Sequence, residues 1–183
     1  MPKTNRPRII ALTGSIGCGK STVAQVLKEQ GVICLDADEL AREAVIRGTA
    51  GYQKIVAEFG TEILSENGEV DRKKLRDLVF SNTGKRRKLE AILHPDIYQR
   101  SLQLFEKYFK EGKKLIVYEA SLILESGREK DFDGVLLVTC PKETIIDRLQ
   151  KRNSDLDSDF VEKILAAQMS QHEKIKKATW VLE

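Results

Sequence analysis

The segment Gly14-Ser15-Ile16-Gly17-Cys18-Gly19-Lys20-Ser21 constrains this chain more than any other. It satisfies GxxxxGK[ST] at every required position. A short apolar run, residues 8–13 (RIIALT), precedes it, and residues 20–30 follow with Val23, Ala24 and Leu27 on one helical face. A buried strand, a glycine turn and a helix in that order make an anion cradle. Glycines let backbone N–H groups wrap phosphate oxygens with no Cβ in the way. The helix start adds unpaired N–H groups and the positive end of its dipole. Residues Gly14, Ser15, Ile16, Gly17, Cys18, Gly19, Lys20, Ser21 and Thr22 are therefore the candidate phosphate contacts. Lys20 is expected at the β/γ-phosphates and the Ser21 hydroxyl at Mg²⁺. The ligand expected is ATP with Mg²⁺. With glycine near 7% of residues, the four fixed positions coincide by chance in under about 1% of chains of this length.

The rest of the chain reads as strands alternating with helices. Residues 32–35, 115–118, 135–139 and 179–182 are further runs of strand length. Helical spacing covers residues 37–47, 51–59, 72–80, 85–93, 95–109, 141–152 and 160–170, with Asn67-Gly68 as a turn signal and Pro95 suited to a helix first turn. This alternation predicts an α/β fold, a parallel sheet of about five strands flanked by helices. The long helical block after the second strand is an insertion large enough to bind a substrate. The expected division is a core of about 8–36, 113–141 and 171–183, a helical insertion of about 37–112, and a segment of about 142–170 able to close over the site.

Composition narrows the function. Of 183 residues, 41% are hydrophobic and 32% charged, enough apolar material for a core. A net charge of +3 is too small for a dedicated nucleic-acid binder and suits an anionic small substrate. Three cysteines, Cys18, Cys34 and Cys140, form no CxxC pair and fit neither a disulfide framework nor a zinc site. Free thiols and the lack of a signal-like or membrane-spanning apolar run lead to the expectation of a cytoplasmic protein with no membrane or nucleic-acid partner. Cys18 lies between a helix start and Lys20, both of which favour a thiolate; the competing reading is a small residue filling a tight turn.

Phosphoryl transfer needs positioning, charge neutralisation and a proton acceptor. Ligands of open α/β sheets gather at the carboxyl ends of the strands. There, Asp36-Ala37-Asp38 closes the second strand and Glu119 the third. Either group could hold Mg²⁺ or take the proton of an attacking hydroxyl. Asp38 is the candidate base and substrate contact, Asp36 and Glu119 are candidates for metal or structural roles, and Glu119 is also a candidate substrate contact. The alternative for such aspartates is helix capping, for which Asp36 is well placed. Arg148 and Arg152 stand at i, i+4 and share a helix face that either meets phosphates or is solvated beside Asp147 and Lys151. Asp155, Asp157 and Asp159 have EF-hand spacing, but Phe160 and Ala166 occupy the positions of the required Gly and Glu. The Asp131-Phe-Asp-Gly134 pattern lacks any guanine-reading partner, and residues 85–88 (KRRK) read as a solvated helix face.

Taken together, the segments LTGSIGCGKSTVA (12–24), DADELAR (36–42), FGTEIL with GEVDRKKLRDLVF (59–80), LEAILHP (89–95), SLILE (121–125), RLQKR (148–152) and ILAAQ (164–168) closely resemble dephospho-CoA kinases. They run through nearly the whole chain in the family's order. The resemblance implies a P-loop kinase fold with a CoA-binding helical domain and a lid. It implies ATP-dependent phosphorylation of the ribose 3′-hydroxyl of dephospho-CoA; the expected form is a monomer or weak homo-oligomer. It makes Asp38 the base, puts Arg42 and His94 at the acceptor substrate, and gives Arg148 and Arg152 to the lid. Glu125 matches the acidic residue after the third strand. Glu119 stands where the family usually has aspartate, Ser121 replaces a proline, and ATWVLE lacks an aspartate expected after Ala178. Another small-molecule kinase, such as a nucleotide or shikimate kinase, shares the loop but not the DAD and LHP segments. A nucleotide switch or nucleic-acid-stimulated ATPase would need a guanine reader or a basic stripe.

Overall fold

The computed structural model describes residues 6–80, 82–152 and 158–183. Five strands form one parallel sheet: β1 (Arg8–Gly14), β2 (Ile33–Asp36), β3 (Leu115–Glu119), β4 (Gly134–Val138) and β5 (Trp180–Leu182). Their spatial order is β2-β3-β1-β4-β5. The strand that feeds the phosphate loop is thus central. It pairs with β3 from Arg8↔Leu115 to Leu12↔Glu119, and with β4 from Ile10↔Gly134 to Gly14↔Val138. Central parallel strands are covered on both faces, which is why β1, β3 and β4 are near-continuous apolar runs. Leu12, Val117 and Val138 pack with Ala24 of α1 (Lys20–Glu29) and with Ile145 and Leu149 of α6 (Lys142–Arg152). Val161 of α7 (Ser158–Ala166) completes that cluster. The last helix, α8 (Gln171–Lys177), begins with a capping box in which Ser170 and Glu173 satisfy each other's backbone N–H groups.

The chain divides into two compact units, residues 1–36 with 108–183, and residues 37–107. The second unit is helical. It contains α2 (Ala37–Ala44), α3 (Ala50–Phe59), α4 (Arg72–Phe80) and most of α5 (Thr83–Lys110). Ile55, Phe59, Ile63 and Leu75 form its core, with Leu89, Ile92 and Leu93 of α5 packed against them.

Three boundaries differ from the sequence reading. The helix expected over residues 37–47 stops at Ala44. Thr49 ends it: its hydroxyl donates to the Ala44 carbonyl at 2.7 Å while accepting from Tyr52 N to cap α3. The two helices expected at 85–93 and 95–109 are one, with Pro95 inside. An internal proline forfeits one backbone hydrogen bond and costs about 3 kcal/mol. Packing of the half-buried Leu89, Ile92 and Leu93, just before it, against the unit's core holds the helix together through that point. The helix expected over residues 160–170 ends at Ala166, and α8 follows as a separate element.

Candidate active site

The phosphate loop leaves the end of β1 and enters α1 through Gly19, which has φ 98°. Gly14 is the position where only glycine fits. A Cβ there would collide with the backbone carbonyl oxygen of Val138 on the neighbouring strand. The loop is therefore pressed against β4 where it begins. Gly17 lies under α6, where a Cβ would come within 3.2 Å of Ile145 Cγ2.

Lys20 is 9% exposed. Its ammonium donates to the carbonyls of Gly14 at 2.9 Å and Ser15 at 3.2 Å. These bonds hold the charge within the loop. The Ser21 hydroxyl donates to Glu119 Oε1 at 3.2 Å. Glu119 ends β3 in register with Asp36, the last residue of β2. Burial raises the Glu119 pKa above the usual carboxylate range, and the negative charge of Asp36 raises it further. Ser21 and Lys20 act in the opposite direction. A hydroxyl and two neighbouring carboxylates at one sheet edge form an oxygen donor set suited to a hard cation. Mg²⁺ usually needs no more from protein than one or two carboxylates besides phosphate and water. The residues present therefore fit the expected metal.

Arg148 crosses from α6 to the loop. Its Nη1 donates to the Gly17 carbonyl at 3.2 Å and approaches Cys140 Sγ at 4.0 Å. Arg152 closes the same helix, but its side chain lies outside the described residues. The aspartates 155 and 157 also lie outside them.

Cys18 is 5% exposed and packs in the apolar cluster with Cys140. Burial, with Cys18 alongside, pushes the Cys140 thiol up to about 11. The surroundings are those of a small residue filling a tight turn, the second of the two readings of Cys18.

Asp38, Arg42 and His94 belong to the second unit. Asp38 lies in the first turn of α2 and Arg42 in its last, one turn further along. Both are exposed, as is His94, which precedes Pro95 on α5. An acidic residue at the start of a helix and a basic one at its end both complement the helix dipole. The same unit holds a cavity of about 410 Å³ lined by Leu40, Glu43, Thr49, Asp96 and Arg100 among others.

The loop has neighbours that sequence reading missed. Gln168 Oε1 accepts the Ile16 N–H at 3.4 Å. Lys174 of α8, 1% exposed, donates to Ser15 Oγ at 3.3 Å and pairs with Glu125 at 2.8 Å. The signal for α8 was present in Ser170-x-x-Glu173, the capping-box spacing.

A glycine loop at the carboxyl end of a central parallel strand, with its lysine inside and a serine–carboxylate pair beside it, defines a P-loop phosphotransferase. The dephospho-CoA kinase family model matches residues 8–183, and the chain belongs to that family. It is 42% identical over 174 residues to the dephospho-CoA kinase of Bacillus cereus, covering 95% of this chain and 86% of that one. It is 41% identical over 175 residues to that of Bacillus licheniformis, at 96% and 87% coverage. Among solved structures, TT1252 from Thermus thermophilus superposes with a TM-score of 0.82 at 36% identity, covering 97% of this chain and 88% of that one. The dephospho-CoA kinase from Campylobacter jejuni does so with 0.69 at 29%, covering 95% and 86%. Among the described residues, no helix is long and apolar enough to cross a membrane.

Proposed function

We propose that this kinase transfers the γ-phosphoryl group of ATP to the ribose 3′-hydroxyl of dephospho-CoA, giving coenzyme A and ADP, with Asp38 as the proton acceptor. The observation that carries the donor half is the convergence of Lys20, Ser21, Glu119 and Arg148 on one loop. The acceptor half rests on the family and on the DADELAR and LEAILHP segments. Lys20 and the loop N–H groups hold the β- and γ-phosphates, so that charge developing on the leaving oxygen meets fixed positive groups. Arg148, tied to the Gly17 carbonyl, keeps a guanidinium beside the same loop. Ser21, with Glu119 and Asp36 behind it, is the site for Mg²⁺, which neutralises phosphate charge when bound.

Asp38 takes the proton of the acceptor hydroxyl as that oxygen attacks phosphorus and the bond to the β-phosphate oxygen breaks. It stands two residues past the end of β2, in the sequence region where ligands of open α/β sheets gather. Arg42 and His94 are assigned to the acceptor, and residues 37–112 to its binding domain. Residues 142–170, with Arg148 and Arg152, are assigned to the lid, and the remaining segments to the core. The expected working form is a cytoplasmic monomer or weak homo-oligomer.

The test is ADP release from ATP·Mg²⁺ with dephospho-CoA, and with pantetheine phosphate, shikimate, AMP and CMP as controls. Turnover with dephospho-CoA alone supports the proposal; turnover with another acceptor overturns it. Asp38→Asn should lower kcat by ~10²–10⁴-fold and spare ATP affinity. Near-normal kcat in that variant removes Asp38 from the role of base.

A further inference from the structure

Lys174 is buried to 1% exposure, yet it lies on a short helix distant in sequence from the phosphate loop. A buried ammonium is costly unless paired and hydrogen-bonded. Here it is paired: Glu125 Oε1 lies 2.8 Å away and also accepts the backbone N–H of Met169 at 3.2 Å. The second partner is the loop itself, through Ser15 Oγ at 3.3 Å. Gln168 holds the next loop residue by accepting the Ile16 N–H. The stretch from Gln168 to Lys174 is therefore bonded to two successive residues of the cradle.

The direction of the Lys174–Ser15 bond matters. An ammonium can only donate, so Ser15 Oγ is the acceptor. The serine proton must then point away from Lys174, and it has no acceptor among the described residues. Ser15 is the second residue of the cradle, so that proton is available to a phosphate oxygen bound there.

We propose that Lys174, held by Glu125, is a positioning residue of the ATP site: it fixes the Ser15 hydroxyl as a hydrogen-bond donor to a phosphate oxygen of the nucleotide. The ammonium polarises that hydroxyl, which makes it a stronger donor to an anion. Helix α8 thereby becomes part of the nucleotide site without touching the nucleotide. The inference rests on reading the loop as the triphosphate cradle.

The experiment measures ATP·Mg²⁺ binding by calorimetry and melting temperature for the wild type, Ser15→Ala, Lys174→Met/Glu125→Gln and the triple variant. Wild-type binding comes first, since its failure would overturn the reading of the loop and not the role of Lys174 within it. Removing both charges leaves no unpaired buried ion, and glutamine keeps an acceptor for Met169 N. The double variant is expected to melt near the wild type but bind ATP about tenfold more weakly, the loss of one hydrogen bond to a charged group. Ser15→Ala should lose a similar factor, and the triple variant no more than either, because all three changes remove one interaction. Wild-type affinity in Ser15→Ala overturns the proposal even if the double variant fails to fold. So does a triple variant whose loss is the product of the separate losses, or a double variant that melts lower but binds normally.

Discussion

The hydroxyl of Ser21 donates to Glu119 across 3.2 Å, and Glu119 is itself in register with Asp36 on the adjacent strand. Glu119 is 8% exposed, so its charge is held in poor solvent beside another negative charge. Its carboxyl is harder to ionise in the folded chain than in the unfolded one. Between those two pKa values the folded state binds more protons, so stability falls as pH rises through that window. Glu119→Gln should therefore melt higher than the wild type at neutral pH. The gain should vanish on acidification below the usual carboxylate range, where Glu119 is neutral in both states. The same variant should need more Mg²⁺ for half-maximal turnover. Melting curves across pH and Mg²⁺ titrations check both; a variant less stable at neutral pH would contradict the account.

Gly14 lies against the carbonyl of Val138, leaving no room for a Cβ. Gly14→Ala must push the loop off β4 or part the two strands. Overpacking of this kind typically costs ~1–3 kcal/mol. Urea denaturation should show that loss, and calorimetry a loss of ATP binding. A stable variant with normal ATP binding would mean that the strand contact is softer than the geometry implies.

Arg148 reaches the loop through the Gly17 carbonyl while its helix buries Ile145 and Leu149. Arg148 as a whole residue is exposed. Arg148→Ala should lower kcat by ~10²–10³-fold with little change in melting temperature. Arg148→Lys should recover only part, since an ammonium cannot reproduce the planar fork. Loss of stability in step with activity would make the residue structural.

Cys18 and Cys140 are buried together, and burial raises the pKa of Cys140 and of Cys34. Thiolates, not thiols, are the nucleophiles. The folded protein should therefore react slowly with an aromatic disulfide reagent at neutral pH, and all three thiols should titrate in urea. Saturating ATP·Mg²⁺ should slow Cys18 further. A rapid native reaction at Cys18 would restore the thiolate reading.

The phosphate loop was legible because its chemistry is local: glycines, lysine and serine lie in one continuous stretch between a strand and a helix. Glu119 was legible as a strand end, but its bond to Ser21 required the pairing of β1 with β3. Lys174 was not legible, since nothing local marks a lysine among Lys176 and Lys177 as buried. Its helix was hidden by apolar spacing that continued past Ala166, although Ser170 and Glu173 carried a start signal. Pro95 misled in the opposite sense. Local propensity breaks a helix there, and tertiary packing of Leu89, Ile92 and Leu93 overrides it.

The sheet order has a consequence for how the chain is made. β1 is synthesised first, but its partners are β3 and β4, with Arg8 opposite Leu115 and Ile10 opposite Gly134. Both neighbours emerge from the ribosome only after the whole helical unit of residues 37–107. Until then this central strand has no ladder on either side. Non-local parallel pairing of this kind is slow to form and leaves strand edges open to aggregation. The helical unit, built from neighbours in sequence, can condense while the nascent chain waits, so the nucleotide cradle, made early, is among the last parts of the molecule to take its final form.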